Sequence, residues 1–137
     1  MSRVIFASHG GLSKGMKDSV SMIVGDLAKD VETYSLLPGQ NPEDFYQEVL
    51  KEAKESEEQI LILCDIKGGS VHTALSKLAV LDNVMVFSGM NMGLALDAVM
   101  KSLGGEVSLE DATDLINAAK EGMTVMNGMT SEDDEDF

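Results

Sequence analysis

Ile60-Leu61-Ile62-Leu63-Cys64-Asp65-Ile66-Lys67-Gly68-Gly69-Ser70 is a continuous apolar run that breaks on an acid and then on paired glycines. It reads as a buried strand that delivers Asp65 to a loop. Val71, Ala74, Leu75, Leu78 and Ala79 follow at i, i+3, i+4, i+7 and i+8, so a helix packed back on the sheet is expected, with Ser70 as its N-cap. A helix start offers unpaired N–H groups and the positive end of the macrodipole, and glycines before it let the backbone approach a ligand. Strand, acid, Gly-Gly-Ser and helix together describe an anion site with a carboxylate beside it. The same pattern also serves as a tight βα turn without any ligand.

Upstream, Arg3-Val4-Ile5-Phe6-Ala7-Ser8 repeats this grammar and ends on His9-Gly10-Gly11, giving a first strand. Met16, Val20, Ile23, Val24 and Leu27 recur at helical spacing, with Gly25 near the end of the pattern. Val31 to Leu36 forms a second strand stopped by Pro38-Gly39, and Asn41-Pro42 is a cap followed by proline at the first helical position. Phe45, Val49 and Ala53 carry the buried face of that second helix. Downstream, Asn83 to Ser88 is a fourth strand closed by Gly89, and Asn91 caps a helix apolar over much of its circumference. Such a helix is either deeply buried or part of a subunit contact. Ser108 opens a last amphipathic helix that Gly122 ends, and Met123-Thr124-Val125-Met126 is a short extra strand. Thr130 to Phe137, with acids at five of eight positions, is expected to be a disordered acidic tail, leaving residues 1–129 as one domain.

A chain of 137 residues with 44% hydrophobic content suits one domain with a real core. Its net charge of −14 argues against nucleic acid and against anionic membrane surfaces. The single Cys64 cannot form an internal disulfide, and Val4 to Ala7 is too short for a signal h-region or a membrane span. A cytoplasmic setting is expected.

Four strands alternating with helices define an open, mostly parallel α/β sheet with helices on both faces. In such sheets ligands bind beyond the carboxyl ends of the strands, where the strand order reverses. Those ends carry His9, Ser35, Asp65 and Ser88. With strands one and three as neighbours, His9 and Asp65 leave the sheet within hydrogen-bond reach of each other. An Asp that accepts from one ring nitrogen fixes the tautomer and leaves the other nitrogen a nucleophile near neutral pH. Donors at the adjacent helix start suit an incoming phosphoryl group, and phosphoryl transfer needs mainly positioning and charge neutralisation. The constellation points to a reversible phosphohistidine, for which no cofactor is expected.

Phe6-Ala7-Ser8-His9-Gly10, Met22, Pro38-Gly39, Asp65-Ile66-Lys67-Gly68-Gly69-Ser70 and Gly89-Met90-Asn91 together resemble the enzyme IIA component of the mannose/fructose/sorbose class of the bacterial phosphotransferase system. The resemblance covers roughly residues 3 to 126. It implies that His9 is phosphorylated and Asp65 orients it, with Gly10, Gly68, Gly69 and Ser70 around the phosphoryl group. Met22 flanks the site and helps to dock partners. It further implies strand order 2-1-3-4, phospho-HPr as donor and a IIB component as acceptor. Membrane subunits IIC and IID are indirect partners, and a homodimer exchanges a C-terminal antiparallel strand. Because the chain ends after one domain, IIB is expected on a separate polypeptide. Val71, His72 and Thr73 stand where the family often has proline and asparagine, and Gly93 where a proline is frequent; these departures bear on partner or sugar specificity.

Other readings of the residues exist. His72 with His9, Asp65 and Cys64 invites a metal, although no tight ligand spacing exists. A serine hydrolase on Ser8 or Ser70 lacks a G-x-S-x-G elbow. A phosphocarrier of the dihydroxyacetone kinase type shares fold and chemistry, with another acceptor. A non-enzymatic flavodoxin-like module binding a phosphorylated ligand is the remaining alternative.

Overall fold

The computed structural model describes residues 2–128. The strands are β1 (Arg3–His9), β2 (Glu32–Leu36), β3 (Ile60–Cys64) and β4 (Val84–Phe87). All pair in parallel in the order β2-β1-β3-β4, as expected from the sequence. The helices are α1 (Leu12–Val24), α2 (Pro42–Lys54), α3 (Ser70–Leu75), α4 (Met92–Leu103) and α5 (Leu109–Glu121).

Parallel strands covered on both faces read as unbroken apolar runs, and every residue of β3 is buried. Alternate side chains then divide the core in two. Val4, Phe6, Leu61 and Leu63 face α1, α4 and α5, whereas Ile5, Ala7, Ile60, Ile62 and Cys64 face α2 and α3. Removing a fully enclosed side chain such as Leu63 would cost about 2–5 kcal/mol, the usual range for a large-to-small core change. The apolar circumference of α4 follows from its place: it packs on β1 and lies against both α1 and α5, and Leu94, Ala95, Ala98 and Val99 are buried.

Local signals behave as their chemistry dictates at three helix starts. Asn41 accepts from the Glu43 N–H, Asn91 from the Leu94 N–H, and Ser108 forms a capping box with Asp111. Two helices deviate from the expected pattern. α1 stops at Gly25, where φ is +60°, and continues as a 3₁₀ turn in which Leu27 is exposed; within α1 Met16 and Val20 are buried and Ile23 is exposed. α3 is capped at Gly69 rather than Ser70 and tightens into a 3₁₀ turn over Ser76–Val80. Val71, Ala74, Leu75 and Leu78 are buried as the spacing predicts, whereas Ala79 is exposed.

Residues 123–126, expected as a strand, belong to no strand in the single chain, and Met123, Val125 and Met126 are exposed. Among the described residues no strand pairs with the outer edge of β4, which borders a groove of about 680 Å³ lined by Ala79, Leu109, Ala112 and Ile116. The acidic stretch Thr130–Phe137, and the domain boundary placed before it, lie outside the described residues. Among the described residues, no helix is long and apolar enough to cross a membrane.

Candidate functional site

The chain leaves β1 for β2 on one side and later crosses back to β3 on the other, so the strand order reverses between β1 and β3. Their register pairs Ala7 with Cys64, and the Asp65 N–H donates to the Ala7 carbonyl, 3.1 Å. This carries the pairing one residue past the strand and sets His9 and Asp65 together. The carboxylate accepts three hydrogen bonds. Its Oδ2 receives the His9 backbone N–H at 2.8 Å and faces His9 Nδ1 at 2.8 Å, and its Oδ1 receives the Ile66 N–H at 2.9 Å.

On the far side of the ring, His9 Nε2 lies 3.0 Å from Ser70 Oγ. An ionised carboxylate can only accept, so Nδ1 carries the ring proton and Nε2 keeps its lone pair. Burial by itself would raise the pKa of Asp65. The His9 backbone and ring N–H groups and the Ile66 N–H overcome that penalty and hold it below the usual carboxylate value. The division of exposure suits the chemistry: the His9 side chain is 47% exposed and that of Asp65 only 9%.

Each glycine of the site has its own reason. Gly10 at φ +55° and Gly68 at φ +79° occupy the left-handed region where a side chain is strained. Gly69 has an ordinary φ of −69°, yet a Cβ there would stand 2.8 Å from Ile66 Cγ2 and 3.2 Å from His9 Cε1. It is small so that the imidazole can lie against the backbone.

The backbone N–H groups of these three glycines are engaged within the chain. The Gly10 N–H is taken by the Leu36 carbonyl at 2.8 Å, that of Gly68 by His72 Nδ1 at 3.1 Å, and that of Gly69 by the Ile66 carbonyl at 3.2 Å. The first-turn N–H groups of α3 have no intrahelical acceptor, and the Ser70 hydroxyl donates to His9 Nε2. Met22 stands apart from the other candidates. It lies ten residues into α1, about 15 Å along the axis from Leu12, and is 83% exposed.

The sequence did not single out the serine pair that braces the His9 turn. Ser8 is fully buried, accepts the Ser13 N–H at 2.8 Å, and donates to the Gly10 carbonyl at 3.2 Å. Ser13 Oγ in turn donates to the Tyr34 carbonyl at 2.9 Å. Ser8 therefore caps α1 from within β1 and is engaged on both sides. Cys64 is buried in β3, and burial first, then the charge of Asp65, pushes its thiol up to about 12. His72 turns Nδ1 to Gly68, and among the described residues no three His, Cys, Asp or Glu side chains gather as metal ligands.

The family model described as "PTS system fructose IIA component" matches residues 3–120, and this chain belongs to that family, the mannose-class EIIA components of the sugar phosphotransferase system. The PTS system sorbose-specific EIIA component of Klebsiella pneumoniae is 33% identical over 101 residues, which are 72% of this chain and 73% of that protein. A phosphotransferase system component EIIA from Streptococcus agalactiae superposes with a TM-score of 0.78 at 26% identity, covering 91% of this chain and 97% of the other. The mannose/sorbose-specific IIA subunit from Enterococcus faecalis shares the fold, with a TM-score of 0.79 at 24% identity, covering 94% and 97% of the two chains.

Proposed function

We propose that this chain is a cytoplasmic phosphocarrier that takes a phosphoryl group from phospho-HPr on His9 and passes it to a IIB component. The IIC and IID membrane subunits then use it for sugar uptake. The observation that carries the proposal is the line Asp65–His9–Ser70, with 2.8 Å on one side of the imidazole and 3.0 Å on the other. Nδ1 is held as a donor, so the Nε2 lone pair attacks phosphorus. As the Nε2–P bond forms, the P–N bond to the donor's histidine breaks and its electron pair returns to that nitrogen. No proton has to move. The ring gains positive charge, which the Asp65 carboxylate offsets, and the Ser70 hydroxyl turns from Nε2 to a phosphoryl oxygen. In the reverse sense the same groups release the phosphoryl to IIB. Positioning and electrostatics account for the chemistry, with no cofactor.

The exposed side of α1, with Leu12, Met22 and Ile23, begins at the site and offers apolar surface to both partners. A homodimer belongs to the same reading. The free edge of β4 and its groove accept an extended strand, and residues 123–126 of a second copy supply exposed Met and Val side chains of the right kind. The transported sugar is assigned to the membrane subunits.

Ser70, His9 and Asp65 also line up as a hydrolytic triad would. A nucleophile elbow, however, places its serine in a strained turn, and every positive φ among the described residues belongs to glycine. Ser70 is helical.

The test is intact-mass measurement after incubation with phosphoenolpyruvate, enzyme I and HPr. One acid-labile, base-stable phosphoryl group on wild type and none on His9→Ala is the expected result, with Ser70→Ala labelled more slowly. Full labelling of His9→Ala would overturn the assignment, and label on His72 would relocate it.

A further inference from the structure

We infer that His72 is a positioning residue for the His9 site, acting through the Gly68–Gly69 turn; the inference rests on the phosphocarrier reading above. His72 and Thr73 clamp that turn from the first helical turn of α3. Nδ1 of His72 accepts the Gly68 N–H at 3.1 Å, Thr73 Oγ1 donates to the Gly68 carbonyl at 3.3 Å, and the Thr73 N–H donates to the Gly69 carbonyl at 2.8 Å. Ile66, Lys67 and Gly68 are all exposed, and the turn's other bonds run from the Ile66 N–H to Asp65 Oδ1 and from the Gly69 N–H to the Ile66 carbonyl. Yet Gly69 is the backbone against which the His9 ring lies, close enough that a Cβ would come within 3.2 Å of Cε1. A small shift of the turn therefore reaches the imidazole, and misplacement of a reacting group is costly in rate.

Only one state of His72 can make this bond. Its Nδ1 must be unprotonated, with the ring proton on Nε2; on protonation both nitrogens become donors, and an N–H faces the Gly68 N–H. The turn is then released. Of the ionisable groups on the packed elements, Glu43 of α2 pairs with Lys77 at 2.7 Å, Lys77 also lies over the Tyr46 ring, and Asp65 is held by His9, while α2 further carries Asp44, Glu48, Lys51, Glu52 and Lys54. Lys67, in the same loop, is exposed. Asparagine is the conservative replacement, because its Oδ1 sits where the Nδ1 of histidine does and accepts at any pH.

Three proteins test this: wild type, His72→Asn and His72→Leu. Rates of phosphoryl transfer from phospho-HPr are measured between about pH 5 and 8, where histidine changes charge. His72→Leu should transfer about ten-fold more slowly, the scale of one lost hydrogen bond. His72→Asn should keep the high-pH rate and lose less of it toward acid than wild type does. Independently of transfer, nitrogen NMR of wild type should find Nδ1 of His72 unprotonated and Nε2 protonated, with the Gly68 amide shift following the His72 titration. Equal rates and pH profiles in three folded proteins, or a Gly68 amide indifferent to His72, would overturn the inference. Should wild type accept no phosphate, the phosphocarrier reading fails by itself and the NMR result decides the role of His72 in the turn.

Discussion

Replacing Asp65 with asparagine asks the site to do with one acceptor oxygen what it now does with two. Oδ2 receives both His9 donors and Oδ1 receives the Ile66 N–H. If the amide oxygen takes the His9 side, its NH₂ meets the Ile66 N–H, donor against donor. If it takes the Ile66 side, the NH₂ faces His9, and the ring proton is driven to Nε2, which removes the nucleophile. In the first arrangement a charge-assisted bond becomes a neutral one, about 1–2 kcal/mol weaker, which is about ten-fold in rate. In the second the tautomer is wrong, and losses of up to about 10⁴ are the precedent for such a change. Transfer by Asp65→Asn should therefore fall by about ten-fold to 10⁴-fold in both directions, as read by rapid-quench labelling with phospho-HPr. Stability should fall by about 1–3 kcal/mol, because either orientation leaves a donor unpaired. The pH dependence has a definite sign. Hydrogen bonding holds Asp65 below its ordinary 3.8 in the folded chain, so its contribution is complete above that value and is lost as pH falls through the lower, folded one. The gap in unfolding free energy between wild type and variant should thus shrink below about pH 4. Transfer within two-fold of wild type would show that Asp65 only braces the loop.

Gly69→Ala should slow transfer by about ten-fold and cost little stability, since the new Cβ can displace the exposed end of Ile66 but must also tilt the His9 ring; wild-type rates would refute the close approach. Removing the chain from Gly122 onward should leave the β4 edge uncovered and turn a dimer into monomer or aggregate by light scattering, and a wild type that stays monomeric at high micromolar concentration would refute the exchanged strand.

The sheet was legible because parallel strands buried on both faces have a simple signature. Ile60 to Cys64 is apolar without a break, right-handed crossovers leave few arrangements, and the order that sets β1 beside β3 came from the family resemblance. The helix faces were read less well, and the reason is local. A pattern at i, i+4 and i+8 assumes about 3.6 residues per turn, whereas the 3₁₀ turns after Gly25 and Leu75 have about three. Each residue then advances further around the axis, so Leu27 and Ala79 rotate off the buried stripe that Val20 and Leu75 occupy. Hydrophobic periodicity contains no mark of that tightening.

The site divides along the same line. His9 and Asp65 could be paired from sequence because strand-end position is a property of topology, and the reversal of strand order falls between their two strands. Ser8, His72 and Thr73 could not be paired in advance, because each acts through a side chain bonded to backbone of a turn. Ser8 reaches forward to Ser13 and Gly10, while His72 and Thr73 reach back to Gly68. Serine and threonine near a helix start are well suited to such bonds, yet which carbonyl or N–H they meet depends on the dihedral angles of the glycines between. The positive φ of Gly10 and of Gly68 is what turns those backbone groups toward them. Gly10 and Gly68 are thus the joints that let Ser8, His72 and Thr73 hold the loops on which His9 rests.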